Sequence, residues 1–266
     1  MALRGKKSSE SKARPSLKTP DDKMTLIEHL TELRVRVVRS VLAITVGAVV
    51  IFALYDPLLK FLVGPYRDTC AKHHWTCQLA NIDPLGGFLI RTQIAIWGGV
   101  VFALPVLLWQ IWRFVVPALH AKEKKYAIPF VVSSVVLFLF GGYIAWFSYP
   151  YALEFLIGYA GKETTPLFTV DKYIRLLMLM IIAFGVGFLF PVLLVFLQLV
   201  RVLTPRGLMG WWRQAIVLVL VIAAVITPSG DPISLMALAI PMTIFYFMSA
   251  GVGWLLLRRK PKTIEA

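Results

Sequence analysis

Residues 24–38 read MTLIEHLTELRVRVV, and the chain then runs apolar to about Val63. Thr25 and Glu28 stand at the spacing of a capping box, which places the start of a helix here. At 100° per residue, Leu26, Leu30, Leu33 and Val37 form one stripe, while Glu32, Arg36 and Arg39 fall opposite. Glu32 precedes Arg36 by four residues, a pairing worth about 0.2–0.5 kcal/mol on an exposed face. Arg34 is the misfit. It projects between Ile27 and Leu30, on the apolar side, where a guanidinium needs a carboxylate, a carbonyl or a headgroup. A solvated helix entry that only fixes orientation accounts for the same charges.

The rest of the chain decides what kind of helix this is. Of its 266 residues 58% are hydrophobic, and mean hydropathy is +0.75. A bilayer accommodates that fraction and a soluble core does not. Apolar runs fall at about 36–63, 93–116, 127–150, 174–200, 213–227 and 232–257. Backbone groups in lipid must satisfy one another, so these runs predict an all-α integral membrane protein with six transmembrane helices. The fifth run is short, about 15 residues, and suits a locally thinned bilayer. No secretory signal is expected, since residues 1–23 are polar and basic without an apolar stretch.

The net charge of +14 is informative through its placement. All but seven of the 28 Lys and Arg residues (Lys60, Arg67, Lys72, Arg91, Lys162, Lys172 and Arg175) fall on one side of a six-span topology. The positive-inside rule therefore predicts that both termini are cytoplasmic. The basic residues flank spans and do not form a patch with interleaved aromatics, so no nucleic-acid partner is expected. Residues 1–23 read as a disordered basic cytoplasmic tail, 24–260 as the transmembrane domain and 261–266 as a second cytoplasmic tail. The outer stretch 64–92, with Pro65, Pro84, Gly86 and Gly87, is expected to be a folded cap. No internal repeat supports an inverted-repeat carrier. The two cysteines, Cys70 and Cys77, stand in DTCAKHHWTC on the predicted outer side. They read as a disulfide. Two free thiols, or a zinc site using His73 and His74, are the alternatives.

Four stretches, in order, carry a family resemblance. LIEHLTELRVRVV, then PVLLWQIWRFVVPALHAKEKKY at 105–126, FGVGFLFPVLLVFL at 184–197 and ITPSGDPISLMALAIPM at 226–242 resemble the TatC family, the polytopic subunit of the twin-arginine (Tat) protein translocase. The resemblance covers roughly 24–250. It implies a receptor that binds paired-arginine signal peptides of folded cargo for export across the prokaryotic cytoplasmic membrane. Implied partners are single-span subunits of the TatA/TatB type, with several copies of the chain in one complex and no cofactor. By motif position, Glu32 and Arg34 fall in the N-terminal signature. Phe114, Pro117 and Glu123 fall in the first inner connector. Pro65, Phe88 and Asp231 match the outer cap. Paired guanidiniums suit carboxylates such as Glu32 and Glu123, because that bond is charge-assisted and bidentate. Phe114 offers an aromatic face beside them. Glu123 also suits local pairing with Lys122, Lys124 or Lys125.

Two positions depart from the family pattern. Leu189 stands where a fourth-span glutamate is usual, and Phe247 where a late glutamate is common. The fourth span is therefore expected to present a smooth apolar groove of Phe184, Phe188, Leu189 and Val192, on which partner helices dock by shape. Other function classes fit poorly. There is no G-x-S-x-G, and all four histidines lie in flanks or loops, so no catalytic site is expected. No P-loop is present. The spans lack the ionisable groups of a solute carrier. A scaffold or insertase that holds single-span partner helices is the alternative function.

Overall fold

The computed structural model describes residues 26–73, 79–115, 127–159 and 168–258. Both predicted tails, 1–23 and 261–266, lie outside these. The described residues are almost entirely helical: α1 Leu26–Ala53, α2 Tyr55–His73, α3 Gly86–Val115, α4 Ala127–Tyr159, α5 Val170–Gly187, α6 Phe190–Leu199, α7 Pro205–Gly210, α8 Trp212–Ile226 and α9 Pro232–Arg258. Among the described residues five stretches are long and apolar enough to cross a bilayer: 30–53, 86–113, 127–159, 170–199 and 232–256. The 15-residue α8 is a shorter apolar helix in the place of the predicted fifth span.

The first span ends earlier than its hydropathy suggests. Helix α1 stops at Ala53, and the apolar residues up to Val63 belong to α2. Pro57 lacks the N–H that would bond the Ala53 carbonyl, and its ring crowds that turn. Arg91 of α3 holds the break. Its Nη2 donates to the Phe52 carbonyl at 3.2 Å, and its guanidinium lies 4.6 Å from the Phe52 ring centre and 5.0 Å from that of Tyr55. Helix α2 is amphipathic. Leu62, Tyr66, Thr69 and Cys70 are buried, while Lys60, Arg67 and Asp68 are exposed. It packs on α4 and α5.

The cap expected over 64–92 is folded across its described residues. Ala80 pairs with Thr169 in an isolated parallel bridge, through Ala80 N–H to Phe168 O at 3.0 Å and Val170 N–H to Ala80 O at 3.2 Å. The Tyr173 hydroxyl donates to Leu62 O at 2.9 Å, and the Tyr149 hydroxyl to Tyr173 O at 3.1 Å. These bonds tie α2, α4 and α5 around a core that includes Ile94, Leu153, Leu177, Phe184 and Leu238.

The fourth span is two helices. Pro191 cannot donate to the Gly187 carbonyl, so α5 ends at Gly187 and α6 restarts at Phe190. Leu189 sits in the turn between them, with its N–H on Val186 O at 3.0 Å. Helix α6 runs against α9, where the buried Gln198 donates to Ser249 O at 3.0 Å and Leu194 O at 3.2 Å. The most extended helix contact is α1 on α3. There Gly47 and Gly99 bring the backbones together: a Cβ on Gly99 would lie 2.6 Å from Ala48 N, and one on Gly47 2.8 Å from Gly99 O. Close approach through small residues is how helices associate where lipid supplies no hydrophobic drive.

Candidate functional site

The amphipathic pattern of α1 is oriented opposite to that of a soluble helix. Leu30, Leu33, Val37 and Val41 are exposed, while Arg36 is 8% exposed and turned toward α3. The surroundings of a membrane helix are themselves apolar, so leucine and valine suit the outside and the charged pair is drawn inward. The Glu32–Arg36 pair that the spacing offers is formed, and it is partly buried. Helix α1 is described from Leu26 onward, and the capping box expected at Thr25 and Glu28 lies outside the described residues.

Arg36 organises the mouth between the start of α1 and the end of α3. Its Nη1 donates to the Gln110 carbonyl at 3.2 Å, and its Nη2 donates to Glu32 Oε1. The Glu32 side chain stays 27% exposed and that of Arg36 10%. The carboxylate is thus held by an arginine that is itself fixed to the backbone of α3. Gln110 also places its side-chain Oε1 in a buried position with no hydrogen-bond partner. Glu32, Val35, Arg36, Arg39, Gln110 and Arg113 enclose about 120 Å³. One carboxylate faces three guanidiniums there, so the described lining is net positive. The C-terminal end of α3 partly offsets this, because its last carbonyls carry the negative pole of the helix.

The residues expected to act with Glu32 are only partly brought to it. Arg34 lies on the exposed face of α1, on the Leu30–Val37 side and away from the α3 contact. It does not line the mouth, contrary to its grouping with Glu32. Phe114 continues α3 one residue past Arg113, but its side chain lies outside the described residues, as do Pro117 and Glu123. Sequence reasoning missed Gln110 and Arg113. Gln110 carried a usable signal, since it is the one amide in the apolar stretch 94–112, where such a group is costly in lipid unless something engages it.

The fourth-span groove exists with a different lining. Leu189 and Val192 border a cleft of about 470 Å³ together with Leu108, Trp112, Phe196 and Ile226. Phe184 and Phe188 are both 0% exposed and belong to the core beneath it. They were expected on the surface because helical spacing shows which residues share a face. It does not show which face is covered.

Of the residues assigned to the cap, Pro65 is buried within α2, whereas Phe88 in the first turn of α3 is 64% exposed. Asp231 is fully buried at the start of α9. Its carboxylate accepts from the Ser229 hydroxyl and from the Ser234 N–H, the latter at 2.6 Å, which caps the helix. Cys70 is 1% exposed in the core of the cap. Cys77, His74 and the side chain of His73 lie outside the described residues, as do both the disulfide and the zinc reading. Among the described residues no three His, Cys, Asp or Glu side chains cluster as metal ligands would.

Comparison with known proteins gives a consistent result. Residues 28–241 match the family model described as Sec-independent protein translocase protein (TatC). The chain is 35% identical over 247 residues to the Sec-independent protein translocase protein TatC of Frankia casuarinae, covering 90% of this chain and 68% of that one. It is 34% identical over 246 residues to the protein of the same name from Aquifex aeolicus, covering 91% and 100%. A crystal structure described as the twin-arginine translocase receptor TatC superposes with a TM-score of 0.69 at 34% identity, covering 87% of this chain and 100% of that one. A second, in DDM, gives 0.70 at 34% identity, covering 85% and 99%.

Proposed function

Because the chain belongs to the TatC family of Sec-independent protein translocase proteins, we propose that it uses the α1–α3 mouth to receive the paired arginines of a signal peptide. The observation that carries this reading is the fixed carboxylate of Glu32, held by Arg36 at the rim of the α1–α3 contact. A carboxylate pre-oriented by a neighbour loses little side-chain entropy when a planar guanidinium arrives. Glu32 alone cannot balance two incoming charges against Arg36, Arg39 and Arg113. The second carboxylate in this proposal is Glu123, one connector away from the end of α3, with Phe114 and Pro117 between them in sequence. Both termini are cytoplasmic in this arrangement, since that side gathers most of the basic residues.

The chain is a receptor subunit of a twin-arginine translocase. Its partners in our proposal are single-span subunits of the TatA/TatB type, folded cargo and further copies of itself in the complex. The membrane is the prokaryotic cytoplasmic membrane. The fourth-span cleft bordered by Leu189 and Val192 is the proposed docking face for a partner helix. Its lining is apolar, so the contact rests on shape.

Binding of a synthetic paired-arginine peptide to the purified chain tests the mouth. Lysines in place of the two arginines should weaken binding at least tenfold, since lysine lacks the planar fork. A peptide whose affinity is indifferent to that change identifies an insertase-like binder of apolar segments and overturns the reading.

A further inference from the structure

We propose that the cleft between α7 and α9 is a binding site for one anionic phospholipid, with its headgroup on Arg206 and an acyl chain along α9. The cleft holds about 480 Å³ and is lined by Pro205, Arg206 and Met209 on one side and Phe247, Ala250, Gly251 and Trp254 on the other. Its floor is small and its walls are large. Ala250 is buried, and a Cβ built on Gly251 meets nothing within 4 Å, so the space above the floor is open. Met209 and Trp254 are about half exposed beside it. Gly253, in contrast, faces the packed side of α9, where a Cβ would lie 1.8 Å from Gln198 Oε1. The open glycine is therefore not there to let two helices of this chain approach.

The lining chooses the occupant. Residues 247–254 cover only about two helical turns, roughly 10 Å of α9. That is too short a track for a spanning helix and suits part of an acyl chain. One end carries a cation: Arg206 is exposed, and no described carboxylate pairs with it. Arg201 and Arg213 stand at the two ends of the same connector, and Arg213 lies over the Trp212 ring at 5.3 Å. Arginine beside tryptophan at a helix end belongs to the headgroup level of a bilayer. Basic clefts between membrane helices on the cytoplasmic side hold anionic headgroups. Placement in the inner leaflet rests on the cytoplasmic assignment of 201–213 given above.

The test uses the full chain purified in detergent. Phosphatidylglycerol and phosphatidylethanolamine are offered in equal amounts, and retained lipid is counted by native mass spectrometry. Phosphatidylglycerol should be preferred about fivefold, the worth of one basic residue near an anionic headgroup. Arg206→Gln should bring the two lipids near parity. Gly251→Leu, which enters open space, should reduce retention of both at least threefold. Unchanged preference in the first variant, or unchanged retention in the second, overturns the site. Competition by glycerol phosphate as effective as that of the lipid would assign the cleft to a soluble anion. A photo-crosslinker at position 251 should yield lipid adducts; adducts to a second copy or to a single-span helix overturn the proposal. None of these readouts depends on which leaflet is involved. A separate labelling of Gly207→Cys by an impermeant reagent decides sidedness without deciding the site.

Discussion

Glu32 carries two roles that a single substitution confounds. It neutralises a largely buried arginine and it presents a carboxylate at the mouth. Hydrogen bonds to charged groups contribute about 1.5–3 kcal/mol, so Glu32→Gln should lower stability as well as peptide affinity. Pairing Glu32→Gln with Arg36→Gln separates the two. The double variant should recover most of the thermal stability, because the largely buried guanidinium of Arg36 is removed together with its carboxylate. It should not recover peptide binding. Recovery of both would mean that Glu32 serves only to hold Arg36. The net-positive lining makes a second, less obvious expectation. Arg39 is exposed and repels an incoming arginine pair, so Arg39→Gln should strengthen binding about two- to fivefold at low salt, roughly 0.4–1 kcal/mol. Titrations at rising ionic strength should erase the gain as the screening length falls. A loss of affinity instead would make Arg39 a contact for the peptide.

Among the helices, the α1–α3 pair sets the geometry of the mouth. Gly99→Ala would place a methyl group 2.6 Å from Ala48 N and 2.9 Å from Ile44 O, both backbone atoms that cannot rotate away. Overpacking of this kind costs about 1–3 kcal/mol. The unfolding midpoint should fall, and peptide affinity with it, because Gln110 O and Arg36 would separate. Gly64→Ala, which meets nothing within 4 Å, is the matched control and should leave both measurements in place. The broken fourth span makes the other prediction. Leu189→Ala should weaken crosslinking of a partner helix near residue 189 and lower export, by opening a contact that depends on shape. Leu189→Glu should be milder for export, since an interhelical hydrogen bond in lipid averages only about 0.6 kcal/mol. If Leu189→Ala leaves crosslinking and export untouched, partner helices dock elsewhere, with the α8–α9 side the next surface to examine.

At the scale of the whole molecule, α2 and the Ala80–Thr169 bridge form a cap over one end of the bundle, hydrogen-bonded to α4 and α5 through Tyr173 and Tyr149. Cys70 stands in the buried face of that cap. The expected bridge to Cys77 would close a short loop at the end of α2, and peptide mapping by mass spectrometry without reductant should find the linked pair. Two alkylatable thiols in freshly isolated membranes would falsify it. The same cap explains why the first span looked ten residues too long in sequence. Leu58, Leu59, Leu62 and Val63 are apolar because they face α4 and α5, and hydropathy does not distinguish a residue covered by protein from one covered by lipid.

The sequence by itself determined the number and order of the apolar helices, the stripe of α1 with its opposed charges, the short fifth span and the family. These follow from composition, helical period and local motifs, all of which act between near neighbours in the chain. Tertiary structure alone decided which stripe faces inward. A soluble helix hides its leucines; in α1 the leucines lie outside and Glu32 and Arg36 turn toward α3, because the surroundings are the less polar phase. It also decided that Phe184 and Phe188 are core while Leu189 and Val192 border the cleft, that Arg34 and Glu32 part company, and that Gln110 and Arg113 join the mouth from 74 or more residues away. Periodicity gives the angle between two side chains on one helix. What each of them meets depends on where the next helix lies, which the contact of Gly47 with Gly99 and the break at Pro191 set for this chain.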